Sequence, residues 1–149
     1  GLDIDWGDYP YVTSSHCTTA GALLNAIPPS WARDIWGVAK IYETYVGAKK
    51  FEPTEGEDSD LFKMVRWYGE EYGATTSRPR QCNWLDFSLL QKAIKINGVN
   101  KVVVNKVDIL RQVNVWKLFN NEENQIKDWL RTNIANDVEI KFSSSKDRI

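Results

Sequence analysis

Apolar positions along the chain come in short bursts that follow two different periods. Lys101 to Val104 is a continuous apolar run whose length and β-branched content suit a strand buried on both faces. Val138 to Phe142 alternates instead, with Val138, Ile140 and Phe142 on one side of a last strand. Asp34 to Val46, rich in Ile, Trp, Val and Tyr, contains a third strand, although Ala39 and Lys40 leave a helix open there, and Val46-Gly47-Ala48 ends it. Leu2 to Asp5, stopped by Gly7, and Val113 to Leu118 are further strand expectations.

The remaining bursts have helical spacing. Ala20 to Ile27 reads as a helix stopped by Pro28-Pro29, since proline lacks the N–H and clashes with the preceding turn. Ser59 or Asp60 can cap a helix running to about Glu71, with Leu61, Met64, Val65 and Tyr68 on one face. Leu85 to Ile96 places Leu85, Leu89, Ala93 and Ile96 on a shared side, flanked by Leu90 and Ile94, and Asn97-Gly98 ends it. Glu122 to Ile134 turns Ile126, Trp129 and Leu130 inward. Strands alternating with helices predict an α/β fold with a mostly parallel sheet. Lys49 to Asp60 reads as a polar connector, and there is no internal repeat or low-complexity tract.

The polar stretches carry the chemistry. GATTSRPRQCNWLD, Gly73 to Asp86, follows a small-residue hinge (Gly73, Ala74) with three hydroxyls, Thr75, Thr76 and Ser77. Arg78 and Arg80 come next, held apart by Pro79, which fixes its own φ and pushes Arg78 toward extended geometry. Arginine presents a planar fork of donors that fits a carboxylate or phosphate bidentately, so the stretch reads either as an anion-binding loop or as a solvated loop. Tyr9 to Gly21 packs Thr13, Ser14, Ser15, Thr18 and Thr19 around the only histidine, His16. That cluster reads as a helix N-cap or as a helix start whose N–H groups face a phosphate. His16 finds no second and third metal ligand in this reading.

Ligands in open α/β sheets sit beyond the carboxyl ends of the strands. Asn105-Lys106-Val107-Asp108 stands at one such end, and Ser143-Ser144-Ser145-Lys146-Asp147 at another. NKxD after a buried strand is the guanine-reading element of GTP-binding folds. Its carboxylate accepts from the ring N1–H and 2-amino group of guanine, which adenine does not offer. The lysine stem can lie over the base plane, and the serine loop can present N–H groups to the base O6. The alternative is that Asp108 only caps a turn.

Composition narrows the classes. The 149 residues suffice for one domain with a core, and 42% hydrophobic with 26% charged residues is a globular balance. A net charge of −1 gives no bulk pull toward nucleic acid or an anionic membrane, and no apolar run reaches the length of a membrane span. Cys17 and Cys82 are far apart and lack metal-ligand spacing, so free cytosolic thiols are expected. The first residues are no signal peptide, and the chain does not start with Met, as expected of an internal or C-terminal piece.

Taken jointly, LDIDWGDYPYVTSSHCTTAG, YETYVG, GATTSRPRQCNWLD, INGVNKVVVNKVDIL and SSSKDR resemble adenylosuccinate synthetase, in that order and over nearly the whole chain. The resemblance implies the C-terminal part of a larger P-loop-like ligase domain, whose glycine-rich phosphate loop and catalytic Asp and His belong to an N-terminal half absent here. Such a piece is expected not to turn over alone. The implied enzyme is a cytoplasmic homodimer that joins L-aspartate to C6 of a purine monophosphate through a 6-phosphoryl intermediate. GTP or ATP is the implied phosphoryl donor, with Mg2+ held by ligands in that other half. By position, Thr13 would hold the substrate 5′-phosphate, and Val46 and Gly47 would lie near its base. Ala74, Thr75, Thr76, Ser77, Arg78, Pro79 and Arg80 would form the aspartate loop, with Arg80 also reaching the triphosphate. Lys106, Val107, Asp108, Ser143, Ser144 and Ser145 would hold the base of the donor.

Several positions depart from the family pattern. Asp8 stands for Thr, His16-Cys17 for Asn-Thr, Tyr45 for Arg, Ser77 for Gly and Ser145 for Gly, while Lys49-Lys50 interrupt a G-P-F-P stretch. These changes are similar to a phage branch that acts on dGMP to give 2-aminoadenylosuccinate and can use ATP. IMP with GTP and dGMP with ATP both remain open at this point. An alternative of another class is a non-catalytic guanine-nucleotide-binding module, which would share NKxD but has no use for GATTSRPR. A structural domain whose motifs are only turns and caps is the third reading.

Overall fold

The computed structural model describes residues 1–25, 27–51, 59–114, 123–134 and 137–145. Its centre is a parallel sheet of three strands. β4 (Lys101–Asn105) lies in the middle, with β1 (Trp36–Lys40) and β5 (Glu139–Phe142) parallel on either side. Register pairs Val102 with Gly37 and Ile140, and Val104 with Ala39 and Phe142. The middle strand is almost entirely buried, as its unbroken apolar run predicts. Burying each of Val102, Val104 and Val107 contributes about 1.5–3 kcal/mol.

The segment read as one strand is two. Ile41 breaks it, donating its N–H to Asn105 O, and β2 (Tyr42–Tyr45) then pairs antiparallel with β3 (Gln81–Trp84) in a separate ribbon. The ribbon brings Tyr45 opposite Gln81 and carries the arginine stretch on its far side.

Five α-helices and one 3-10 turn (Pro29–Trp31) are described. α1 (Thr19–Asn25) starts one residue earlier than predicted, and α2 (Ser59–Tyr68) packs on β3 and on α4 (Val107–Gln112). α2 buries Leu61, Phe62 and Val65, leaving Met64 and Tyr68 exposed. The inward face is set by the Phe62 ring lying edge-on to Trp84, centroids 5.2 Å apart. α3 (Phe87–Asn97) is capped by Asp86, whose carboxylate accepts from Leu89 N–H, and ends at Gly98 with φ of 60°. Its inward side is Phe87, Leu90 and Ile94, while Leu89 and Ala93 face out. α5 (Glu123–Ile134) buries Ile126, Leu130 and Ile134 and packs on β5, with Trp129 partly covered.

Leu2 to Asp5 is not a strand. The Asp3 carboxylate, 4% exposed, accepts from the N–H groups of Asp5, Trp6 and Cys17 and folds the segment into turns. Val113 is the C-cap of α4, and residues 115–118 of the expected strand lie outside the described residues, as do most of the acidic connector and residues 146–149. Both thiols are free, and burial pushes the Cys82 thiol up to about 11. No helix among the described residues is long and apolar enough to cross a membrane.

Candidate functional site

The arginine stretch forms a closed loop. Tyr72 and Pro79 face each other in an isolated antiparallel bridge, Gly73 N–H donates to Arg78 O and Arg80 N–H donates to Glu71 O. Ser77 turns the tip in the left-handed region, φ 51°, with its N–H on Gly73 O. Proline at 79 costs the loop nothing, because the N–H donors that close it come from residues 73, 77 and 80. Ala74, Thr75, Thr76, Ser77 and Arg78 are exposed on this loop.

The two arginines behave differently. Arg78 carries no ion pair among the described residues. It lines a cleft of about 450 Å3 with Tyr45, Val46, Gly47, Ala48, Pro79 and Gln81. Arg80 turns inward, and its Nη1 donates to Glu71 Oε2 at 3.2 Å. Glu71, 3% exposed at its side chain, also accepts from Lys40 Nζ at 2.7 Å and from Tyr42 Oη at 2.9 Å. Gly69 permits this approach, since a Cβ there would lie 2.6 Å from Tyr42 Oη. Burial, reinforced by the Glu71 charge, pushes the Tyr42 hydroxyl far above its ordinary range, so it remains a donor.

The strand tips hold the second group. Lys106 follows β4 in the left-handed region, φ 65°, and its Nζ donates to Gly69 O at 2.8 Å. Val107 is fully buried and anchors α4, which leaves Asp108 half-buried in the first turn with no hydrogen bond or ion pair among the described residues. Asn105 Oδ1 is buried with no hydrogen-bond partner among the described residues. Ser143, buried at 7% exposure, donates its N–H to Val104 O and its hydroxyl to Ser145 O, and Ser144 and Ser145 are exposed beyond it. Lys106 and Arg80 therefore both anchor on the short segment Gly69 to Glu71.

Thr13 sits apart from the cleft. Its hydroxyl contacts Leu2 O, Ser15 O, Ser15 Oγ and Cys17 Sγ within the N-terminal turns. An ion pair between Asp8 and Lys49 ties these turns to the residue beside the cleft-lining Ala48. Both residues depart from the pattern described above, and they occur together.

The sequence matches the adenylosuccinate synthetase family over residues 1–141. The chain belongs to the adenylosuccinate synthetase family. It is 46% identical over 110 residues to the adenylosuccinate synthetase of Caldicellulosiruptor bescii, covering 73% of this chain and 25% of that protein. It is 42% identical over 118 residues to the enzyme of Monosiga brevicollis, covering 78% of this chain and 27% of that protein. The chain thus spans about a quarter of the length of these relatives. The fully ligated Plasmodium falciparum adenylosuccinate synthetase superimposes with a TM-score of 0.67 at 42% identity, covering 73% of this chain and 26% of that one. The cyanophage S-2L succinoaminodeoxyadenylate synthetase, bound to dGMP and dATP, gives a TM-score of 0.67 at 21% identity and shares the fold over 97% of this chain and 41% of that one.

Membership in a ligase family favours the first of the three readings over a guanine-binding switch. Of the residues expected of an adenylosuccinate synthetase, the cleft brings together Val46, Gly47, Arg78 and Pro79. The tips of β4 and β5 carry Lys106, Val107, Asp108 and Ser143 to Ser145.

The described residues do not fit a magnesium site for phosphoryl transfer. The cluster of potential metal ligands present is Asp3, Asp5 and His16, whose ligand atoms lie within 4.8 Å of one another. It corrects the reading that nothing supplies a second and third ligand beside His16, but Asp3 spends both oxygens on backbone N–H groups and magnesium prefers oxygen ligands to imidazole. Glu71, Lys40 and Tyr42 were not singled out from the sequence. The available signal was an acid two residues before the glycine hinge with an arginine at each end of the following proline.

Proposed function

We propose that this chain supplies the amino-acid and donor-base portions of a ligase that joins L-aspartate to C6 of a purine monophosphate. A nucleoside triphosphate first phosphorylates the purine 6-oxygen, and the aspartate amine then displaces phosphate. The observation that carries the proposal is the cleft that Arg78, with no ion pair among the described residues, lines together with Val46 and Gly47. A guanidinium fork in a cleft, with no carboxylate partner among the described residues, suits a small dicarboxylate held against a flat base.

In this reading Arg78 grips an aspartate carboxylate, with Thr75 and Thr76 as hydroxyl donors beside it. Arg80, fixed from behind, directs its remaining N–H groups toward the triphosphate. Asp108, with no hydrogen bond or ion pair among the described residues, accepts from the donor base, and Ser143 to Ser145 close over its edge. Thr13 serves the substrate 5′-phosphate. Magnesium, which neutralises charge on the transferring phosphoryl group in such reactions, would be held by residues outside this chain.

IMP with GTP is the first substrate pair. A second reading, dGMP with ATP, is favoured by Tyr45, which stands on the cleft wall where the family pattern has an arginine. Aspartate-dependent phosphate release by the full-length polypeptide, compared for IMP and dGMP and for GTP and ATP, separates them. In that assay Arg78→Leu is expected to raise the aspartate KM roughly ten- to a hundredfold. That range follows from one charge-assisted bond of about 1.5–3 kcal/mol at about 1.4 kcal/mol per factor of ten. The triphosphate KM should stay within about twofold of wild type. An unchanged aspartate KM removes the carboxylate-clamp role.

A further inference from the structure

We infer that Glu71 is the positioning residue of the arginine loop, holding Arg80 in place for the triphosphate. The inference rests on the ligase reading for its functional arm and on geometry alone for its structural arm.

Glu71 binds Arg80 twice. Its backbone carbonyl accepts the Arg80 N–H at 3.0 Å, and its Oε2 accepts Arg80 Nη1 at 3.2 Å. Everything from Tyr72 to Pro79 lies between these anchor points, closed by the Tyr72–Pro79 bridge. A third bond, from Arg66 Nε to Arg80 O at 2.6 Å, fixes the same residue from α2. The guanidinium is therefore set by a buried acceptor on one side, and most of its five N–H donors have no partner among the described residues.

The charges make the arrangement purposeful. Lys40 Nζ and Arg80 Nη1 share one carboxylate oxygen, Oε2, while Tyr42 occupies Oε1. Two cations on one anion leave a net positive charge at the tip of β1, next to Lys106 on Gly69. Without the Glu71 charge, Lys40 and Arg80 would repel across a poorly solvated gap. With it, they are held close to each other and remain net attractive to a polyanion. Stability alone is a weak reason for such a group, because a buried ion pair rarely outdoes an apolar replacement. A structural role would also not need the acceptor to be shared with the residue that faces the triphosphate.

The test uses the full-length polypeptide. Glu71→Gln keeps shape and one acceptor and removes the charge. It is expected to raise the triphosphate KM about tenfold, with the aspartate and monophosphate KM values within about threefold. In an Arg80→Lys background the same substitution should change the triphosphate KM less than about twofold, because the residue it positions is gone. Equal effects in both backgrounds, or no effect in either, overturn the inference. An independent arm needs no catalysis and no folded variant. In 15N-labelled wild-type protein, the Arg80 guanidinium should give resolved Nη resonances from restricted rotation, and averaged Nη signals overturn the inference. A wild-type protein that releases no phosphate with any purine and aspartate defeats the ligase reading, while the Arg80 resonances still decide whether Glu71 holds the side chain.

Discussion

Removing a single oxygen at Tyr42 probes the energetics of the buried cluster. In Tyr42→Phe the ring keeps its place, since Tyr42, at the start of β2, is 1% exposed and belongs to the buried core. What is lost is one hydrogen bond of 2.9 Å to a carboxylate that is itself 3% exposed. Hydrogen bonds to charged groups contribute about 1.5–3 kcal/mol. Glu71 keeps Lys40 and Arg80, so its charge stays compensated and the loss belongs near the middle of that range, about 2 kcal/mol. For a protein of this size that corresponds to a fall of roughly 4–8 °C in Tm. Equilibrium urea unfolding followed by tryptophan fluorescence measures it directly. The double variant with Glu71→Gln should fall short of additivity by about 1 kcal/mol or more, because both changes remove the same bond. The pH dependence has a defined sign. Tyr42 is raised in the folded state, so its contribution is complete below the ordinary tyrosine range near pH 10 and declines only above it. A loss under about 0.5 kcal/mol, or full additivity in the double variant, refutes the view of the cluster as one shared network.

Two further outcomes follow from particular side chains. Glu123 accepts from Arg111 and Lys127, and the hydrogen bonds from Arg111 foremost hold its carboxyl down to about 2. Its stabilisation is present above about pH 4.5 and is lost as pH falls toward 2, so Glu123→Gln should flatten the acid limb of the stability profile by about 1 kcal/mol, and an unaltered limb counts against the pairing. Ser77 holds φ of 51°, so Ser77→Gly relieves left-handed strain of about 1 kcal/mol while loosening the unfolded chain by nearly as much. Ser77→Val, β-branched, should instead lose more than 1 kcal/mol in thermal melts, and equal Tm values for the two variants would contradict the backbone geometry.

Much of the fold could be read from the chain because its signals are local. The KVVV run gave β4, the alternation after Val138 gave β5, and Asp86 and Gly98 bracketed α3 through a cap and a left-handed turn. The misreadings share a different cause. Leu2 to Asp5 has strand-like letters, but a carboxylate that bonds three backbone N–H groups outweighs that propensity. Met64 and Phe62 are equally apolar, and only the position of Trp84 on β3 decides which turns inward. The candidate site divides in the same way. Contiguous pieces such as the arginine loop and NKVD were legible as strings. Lys40 ends β1, Tyr42 opens β2 and Glu71 lies just after α2, and nothing in their spacing announces that they meet.

The bond from Lys106 to Gly69 joins two places that lie far apart along the chain. The ammonium below the NKVD turn grips the residue two before Glu71, which in turn holds the base of the arginine loop. A push on either end is carried across three residues of backbone rather than through loose side chains. The NKVD turn and the arginine loop thus share one short yoke, so that a displacement of either is felt at the other.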